Sequence, residues 1–174
     1  MPGHNRGKVK PTHFYWVALA VVAIDQASKN LVLSYVPSGS SVPVIEGVAY
    51  ITTVHNPGGA FGLLESWAGL LMVITILTVA AIIVVIRRVR LTQMPTVVAI
   101  ALSLELGGAV GNLIDRIRFH HVVDFINLRI WPVFNLADSA IVVGILLLAY
   151  YLFFCERRPS GMDTPASDPP PAQG

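Results

Sequence analysis

Charged residues are scarce in this sequence. Asp, Glu, Lys and Arg make up 13% of its 174 residues, whereas hydrophobic residues make up 54%. The apolar share of an ordinary soluble domain is about 45–50% even when glycine is counted. The net charge of +2 is too small to indicate nucleic-acid binding, and no stripe of Lys and Arg alternates with aromatic residues. The length is that of one domain, and the composition predicts that it lies in a membrane.

Cysteine is almost absent, and this excludes two further classes of protein. Cys155 is the only cysteine in the chain. It cannot form an internal disulfide and has no partner for a cysteine-based metal site. We expect it to be a small apolar residue near the end of a helix.

Long apolar runs dominate what is present. A helix needs about 20 apolar residues to cross a hydrocarbon core about 30 Å thick, and four runs come close to that length. The first run holds Asp25 and Lys29 and lacks an A-x-A-like cleavage site, so it predicts a retained membrane helix rather than a signal peptide. Pro95 suits the first turn of the third helix. The four predicted spans are 14–36, 67–86, 95–113 and 137–154.

Lys and Arg are distributed unequally between the two sides of these spans. Eight of the 12 lie in the N-terminal tail, the link between the second and third spans, and the C-terminal tail. The positive-inside rule therefore places both termini in the cytoplasm. The predicted division is a cytoplasmic tail at 1–13, a membrane domain at 14–155 and a proline-rich, disordered cytoplasmic tail at 156–174.

The two outward links carry strand patterns. VPVI and VAYITTV are rich in β-branched and aromatic residues, and Glu46-Gly47 between them predicts a hairpin. The glycines of HNPGGAFG, which follows, would let the backbone approach another group closely. VVDFINL in the second outward link predicts another strand. The fold class is therefore a mainly α membrane protein with four transmembrane helices and a small outward-facing β-sheet.

Acids and amides are concentrated between Gly107 and Ser139. Carboxylates at the edge of a bilayer are costly, so they usually have a function. Asp138 lies where the fourth helix begins, with Asn135 as a natural N-cap, and either balances the helix dipole or is kept ionised by it. Asp124 lies on the predicted strand. It either pairs with an arginine, Arg118 or Arg129, or faces Asp138.

The pairing of Asp124 with Asp138 would support amide hydrolysis. Two carboxylates held close together share one proton, because both cannot ionise. The ionised member can take a proton from water while the protonated member polarises a carbonyl, without a metal or a covalent intermediate. Arg116 is a further candidate, because a guanidinium can grip a peptide carbonyl or a lipid phosphate.

The remaining polar residues favour structural roles. Asp25 and Lys29 stand four apart on the first helix, where each would neutralise the other. Asp115 is expected to pair with Arg116 at the water interface. Helical spacing puts Glu105, Gly108 and Asn112 on one face, directed into the bundle. Glycines let another backbone or an acyl chain pack closely, and the third helix has three of them, Gly107, Gly108 and Gly111.

A metal site is the alternative raised by His120 and His121 next to Asp124. Adjacent histidines on a strand point to opposite faces, so at most one of them joins Asp124. No H-E-x-x-H motif is present, and His55 is the only other histidine in an outward link. We expect no metal and no cofactor.

Five motifs, in order along the chain, resemble those of the lipoprotein signal peptidases (signal peptidase II). The resemblance covers residues from about 14 to 155. The motifs are DQASK at Asp25–Lys29, NPGGAFG at Asn56–Gly62, GGAVGNLIDR at Gly107–Arg116, HVVDF at His121–Phe125 and FNLADSA at Phe134–Ala140.

The resemblance implies an aspartyl endopeptidase of the bacterial inner membrane, with four helices and an outward-facing β-cradle. Such enzymes cut prolipoproteins N-terminal to a diacylglyceryl-modified cysteine, contact membrane lipids and are inhibited by the cyclic peptide globomycin. The resemblance makes Asp124 and Asp138 catalytic. It implies substrate contacts at Asn56, Asn112, Arg116 and Asn135, and supporting roles at Asp25, Lys29, Asp115 and Gly108.

Two positions depart from the family pattern. Asn56 is followed by Pro57, where Thr or another small polar residue is more usual, and Glu105 stands where an apolar residue is expected. Two other functions compete with the peptidase. One is a small transporter that uses Asp25, Lys29 and Glu105 as a polar path, and the other is a non-catalytic membrane assembly factor.

Overall fold

The chain is described by a computed structural model that covers residues 11–58 and 68–155. Along the chain, one helix is followed by two strands, two helices, one strand and a final helix. Short 3-10 and π turns follow the second and the last of these helices. The helices are α1 Pro11–Tyr35, α2 Ala68–Val89, α3 Thr96–Phe119 and α4 Leu136–Tyr150, and the strands are β1 Ser41–Ile45, β2 Ala49–Asn56 and β3 Val122–Asn127.

Four helices in the described part of the chain are long and apolar enough to cross a membrane. Their outer faces carry large exposed hydrophobic side chains, such as Leu31 on α1, Leu77 on α2 and Leu146 on α4. Apolar side chains that face outward on every helix suit a lipid environment rather than water. The predictions of four spans and of a mainly α fold with a small sheet are confirmed.

Helix α3 occupies the centre of the bundle. Half of its membrane-spanning part is buried, compared with less than a quarter in each of the other three helices. A Cβ atom added to Gly107 would lie 2.7 Å from the carbonyl oxygen of Ala18 on α1, and one added to Gly108 would overlap the carbonyl oxygen of Ala137 on α4. The predicted close packing at these glycines is therefore present, and it fixes α3 against both neighbours.

The three strands form one antiparallel sheet in the order β1-β2-β3. The turn between β1 and β2 falls at the predicted glycine, Gly47, whose φ is +79°. The hydroxyl of Thr53 on β2 donates to the carbonyl oxygen of Val36 at 2.8 Å, which fastens the sheet to the end of α1. Phe125 of β3 packs into a cluster with Val32 and Val36. The sheet is thus held against the helical bundle.

The predicted bounds differ from the structure mainly at α3. This helix runs to Phe119, six residues beyond the predicted end, because no breaker follows Leu113 and Asp115 finds a buried cationic partner. It ends at His120, whose left-handed φ of +63° closes the last turn. Pro95 lies just before the helix rather than in its first turn. Gly59 and Gly62 of HNPGGAFG, residues 1–10 of the predicted N-terminal tail and the predicted C-terminal tail lie outside the described residues, whereas residues 11–13 of the predicted tail belong to α1.

Candidate active site

Asp124 is held on β3 with its carboxylate almost fully buried. Its side chain is 2% exposed. Oδ1 accepts a hydrogen bond from Nδ2 of Asn135 at 2.7 Å, and Oδ2 accepts one from Nδ2 of Asn56 at 2.8 Å. Neither Arg118 nor Arg129 is its partner, so the interpretation of Asp124 as half of a surface ion pair is wrong. Because these two hydrogen-bond partners are neutral amides rather than an arginine, this carboxyl group can either hold or release a proton.

Asp138 lies in the first turn of α4, where Asn135 is the N-cap as predicted. The side-chain oxygen of Asn135 accepts from the backbone N–H of Asp138 at 2.8 Å, and Oδ2 of Asp138 accepts from the backbone N–H of Asn135 at 3.3 Å. This reciprocal pair is a capping box. Oδ1 of Asp138 accepts from Nδ2 of Asn112 on α3 at 2.8 Å. The hydrogen bonds that cap α4 therefore also orient the carboxyl group of Asp138.

The two aspartates line one cleft of about 900 Å³, together with Asn56 and the link between β3 and α4. Asn135 joins them, since its Nδ2 donates to Asp124 and also lies 3.2 Å from the side-chain oxygen of Asn112. Three elements thus converge on the cleft: the end of β2, the middle of β3 and the start of α4.

Burial raises the pKa of Asp124 to about 7. The hydrogen bond from Asn56 opposes this rise, the negative charge of Asp138 adds to it, and the hydrogen bond from Asn135 and the charge of Lys29 also oppose it. A carboxyl group with a pKa near 7 readily exchanges its proton at neutral pH. This is the property required of one member of an acid–base pair.

A buried cation lies beneath the pair. Nζ of Lys29 is 2.9 Å from Oδ2 of Asp25, 2.8 Å from Oδ2 of Asp115 and 3.0 Å from Oδ1 of Asn112. All four side chains are buried. Its three protons therefore have three acceptors, and the predicted pairing of Asp25 with Lys29 is present.

The predicted ion pair between Asp115 and Arg116 is wrong. Asp115 is 1% exposed and turns inward to Lys29, while its Oδ2 also accepts the backbone N–H of Val123 at 3.1 Å. Neighbouring residues on a helix point in different directions, so Arg116 faces elsewhere. Its Nη1 lies 3.4 Å from the carbonyl oxygen of Asn112.

Residues 17–154 match the family described as signal peptidase (SPase) II. The chain belongs to this family. It is 46% identical over 145 residues to the lipoprotein signal peptidase of Geobacillus kaustophilus, covering 81% of this chain and 93% of that protein. It is 49% identical over 139 residues to that of Moorella thermoacetica, covering 80% and 91%.

Two solved structures, each described as a bacterial membrane enzyme determined by the in meso method, share the fold. One, at 2.3 Å resolution, has a TM-score of 0.75 and 32% identity and covers 83% of this chain and 90% of its own. The other, at 1.9 Å resolution, has a TM-score of 0.74 and 31% identity and covers 87% and 99%. The signal peptidase II chain described here is thus a multi-pass bacterial membrane peptidase, and these relatives do not favour a transporter.

Gln26, which was not predicted from the sequence, belongs to the buried network beneath this signal peptidase II site. Its Nε2 donates to Oδ1 of Asp115 at 2.8 Å and to the carbonyl oxygen of Gly111 at 3.1 Å, and its Oε1 accepts from Arg118 at 3.3 Å. It therefore completes the partners of Asp115. Its position inside DQASK, next to Asp25, was the available signal.

The histidines lie apart from the acid pair of the peptidase. The rings of His55 and His121 contact each other with centroids 4.4 Å apart. Burial and the charge of His55 lower the pKa of His121. His121 directly precedes β3, whereas Asp124 on β3 accepts its hydrogen bonds from Asn56 and Asn135 rather than from a histidine. Residues 11–58 and 68–155 contain no group of three or more His, Cys, Asp or Glu that could hold a metal ion.

Proposed function

We propose that this chain is an aspartyl endopeptidase that removes the signal peptide from prolipoproteins, cutting N-terminal to the diacylglyceryl-modified cysteine. The observation that carries the proposal is the pair of aspartates, Asp124 and Asp138, which line one cleft and accept hydrogen bonds from side-chain amides and from the backbone of a helix cap. Family membership supplies the substrate class, since relatives are named lipoprotein signal peptidases.

The proposed reaction needs one proton shared by the two acids. The ionised carboxylate accepts a proton from water as the water oxygen attacks the scissile carbonyl carbon. The protonated carboxyl donates a hydrogen bond to the carbonyl oxygen and stabilises the negative charge that develops there. The tetrahedral intermediate then collapses as a carboxyl proton is transferred to the departing amine. The pair returns to its singly protonated state when the signal peptide leaves.

Four polar residues are proposed to hold the substrate. Asn112, Arg116 and Asn135 would position the peptide and stabilise the developing oxyanion, and Asn56 at the rim would contact the chain as it enters. The half-buried Arg116 brings a charge close to both acids, which supports this role. Every one of these residues also orients a carboxylate or another of the four, so binding and catalysis share one hydrogen-bond network.

The same proposal includes the orientation of the chain in the membrane. Both termini would be cytoplasmic and the cleft would face outward, where a substrate anchored by its diacylglyceryl group arrives laterally through the bilayer. Membrane lipids would border the cleft, and a globomycin-type cyclic peptide would occupy it. An impermeant thiol reagent tests the orientation. In a Cys155→Ser background, a cysteine replacing Glu46 should be labelled in intact cells, and Cys155 of the parent should not.

The test of function is cleavage of a diacylglyceryl-modified prolipoprotein by the purified protein in detergent. Asp124→Asn and Asp138→Asn keep the side-chain shape but remove the acid, and each should lower the rate by a factor on the order of 100–10,000. Glu46→Gln makes the same chemical change on the exposed hairpin and should cleave normally. Retention of activity in either aspartate variant would refute the acid pair, and inhibition by chelators would indicate a metal enzyme instead.

The domain boundaries are proposed to be those predicted, with the peptidase at 14–155. The family match ends at residue 154. A chain truncated after Arg158 should therefore cleave the same substrate at a rate close to that of the full chain.

A further inference from the structure

The cleft that holds the acid pair has a single cation among the described residues that line it. That residue is Arg129, in the link between β3 and α4. The rest of this link lines the cleft with apolar and aromatic side chains from Ile130 to Phe134. A positive charge in an otherwise apolar wall is a feature that distinguishes one substrate from another.

Arg129 is held in place by its surroundings. Its Nη1 donates to the hydroxyl of Tyr50 at 3.2 Å, and its guanidinium carbon lies 5.1 Å from the centre of the Tyr50 ring. Its backbone N–H donates to the side-chain oxygen of Asn127 at 2.9 Å. The φ angle of +64° is one that residues other than glycine rarely adopt. The guanidinium is therefore presented at the cleft in one orientation.

This guanidinium has no acidic partner in the described part of the chain. The ion pairs there are those of Lys29 with Asp25 and Asp115. Arg118 likewise has neutral partners, since it donates to Gln26 and lies 4.6 Å from the centre of the Phe119 ring, but it is not among the residues that line the cleft. Arg129 is thus available to an anion from outside the protein, and its exposure allows one to reach it.

The sheet sets the separation between Arg129 and the acid pair. Tyr50, which holds Arg129, is paired with Asn127 on β3, three residues after Asp124. A strand rises about 3.3 Å per residue, so Asp124 and the strand position opposite Tyr50 lie about 10 Å apart along β3. An extended peptide with its scissile bond between the two aspartates covers that length with about three residues.

An anion supplied by the substrate lies in the part that follows the scissile bond. The segment before it belongs to an apolar signal peptide in the bilayer, where a carboxylate is costly. The segment after it leads into water, where Asp and Glu are common. We propose that Arg129 is a specificity-determining residue that binds an acidic side chain about three residues after the scissile bond. This inference rests on the proposed function.

The experiment compares two lipidated substrates that differ only at that position, one with Asp and one with Lys. An ion pair of up to about 1 kcal/mol corresponds to about a fivefold preference, so the parent enzyme should cleave the Asp substrate about five times more efficiently by kcat/KM. Arg129→Glu should reverse the preference, and Arg129→Lys should keep its direction. Arg118→Glu makes the same charge change away from the cleft and should leave the ratio unchanged.

Each outcome is decisive. If the parent enzyme cleaves neither substrate, the proposed function fails. If it cleaves both and the ratio is near one, or if Arg129→Glu keeps the parental ratio, this inference fails while the function stands. Arg129→Glu could instead lower kcat/KM equally on both substrates, and only when the micelle contains anionic lipid. That result would show that Arg129 binds a lipid phosphate. The melting temperature of each variant establishes that it is folded.

Discussion

Lys29 on α1 donates a hydrogen bond to the side-chain oxygen of Asn112 on α3, at 3.0 Å. This contact determines which end of the Asn112 amide faces the cleft, because the oxygen is committed to the cation. The amide nitrogen is then directed to Asp138, at 2.8 Å. Lys29, which does not line the cleft, thus determines that Asp138 accepts its hydrogen bond from the amide nitrogen of Asn112.

Removal of this cation should destabilise the fold. Lys29→Met keeps the length of the side chain but leaves Asp25 and Asp115 buried without a counter-ion. Breaking a buried ion pair in this way costs about 3–5 kcal/mol. Thermal or denaturant unfolding in detergent measures the loss. The triple variant Asp25→Asn, Lys29→Met, Asp115→Asn removes all three charges and should be more stable than Lys29→Met alone. A triple variant less stable than the single one would show that the acids tolerate the missing charge.

The pH dependence of cleavage follows from Asp124. Its pKa is raised to about 7, so the carboxyl keeps its proton below that pH and loses it above, and the pair then lacks the proton that Asp124 supplies. We therefore expect kcat/KM to fall as pH rises through about 7. Asn56→Ala removes a hydrogen bond that stabilises the ionised form, and it should raise the pKa of Asp124 further and move the alkaline limb up by about one pH unit.

The readout in that experiment is the position of the limb in a pH profile of kcat/KM. Loss of a substrate contact at Asn56 would lower kcat/KM at every pH without moving the limb. Asn30→Ala, on the exposed face of α1, is the matched control and should reproduce the parental profile. A limb that moves to lower pH in Asn56→Ala would contradict the assignment of the limb to Asp124.

The contact between α3 and α4 leaves no space for a methyl group at Gly108. A Cβ atom there would overlap the carbonyl oxygen of Ala137, which is backbone and cannot rotate away. Gly108→Ala should therefore lower the melting temperature and impair cleavage, since Ala137 precedes Asp138. Gly69 on α2 has nothing within 4 Å of an added Cβ. Gly69→Ala should be neutral or stabilise the helix by up to about 1 kcal/mol. Equal melting temperatures in the two variants would contradict this packing.

Glu105 is a site at which stability can be gained. Its Oε1 is buried and has no hydrogen-bond partner in the described part of the chain, and its Cγ fills the notch left by Gly144 on α4. A buried polar group without a partner costs about 1–3 kcal/mol, so Glu105→Leu should raise the free energy of unfolding by a similar amount. Glu105→Gln keeps an unpartnered polar group and should gain less. Destabilisation by Glu105→Leu would indicate that the carboxyl has a partner in the membrane.

Local patterns in the sequence predicted the parts of the structure that depend on neighbours along the chain. The apolar runs predicted the spans, β-branched residues around Glu46-Gly47 predicted the hairpin, and Asn135 with Asp138 predicted the cap. The five motifs pointed to both acids of the cleft. Each of these signals lies within a few residues, where helix and strand periodicity operate.

Contacts between distant segments were not predictable in the same way. Asp115 was paired with its sequence neighbour, whereas its partners Lys29 and Gln26 lie on α1, Gln26 being 89 residues away. The clamp of Arg129 on Tyr50 spans 79 residues and depends on the register between β2 and β3. A single sequence contains no measure of such proximity, so the acids could be named but not the groups that orient them.

The backbone contact at Gly108 also bears on how a polypeptide gains entry. With no space between them, α3 and α4 cannot slide past each other, and Asp25 fastens α1 to the same turn by accepting the backbone N–H of Ala137 at 3.0 Å. The floor beneath the two aspartates is therefore one rigid block. In the described part of the chain, the cleft residues free to yield to a peptide are those of the link between β3 and α4, where Ile130 is 91% and Trp131 67% exposed. Substrate entry and catalysis thus depend on different parts of the molecule.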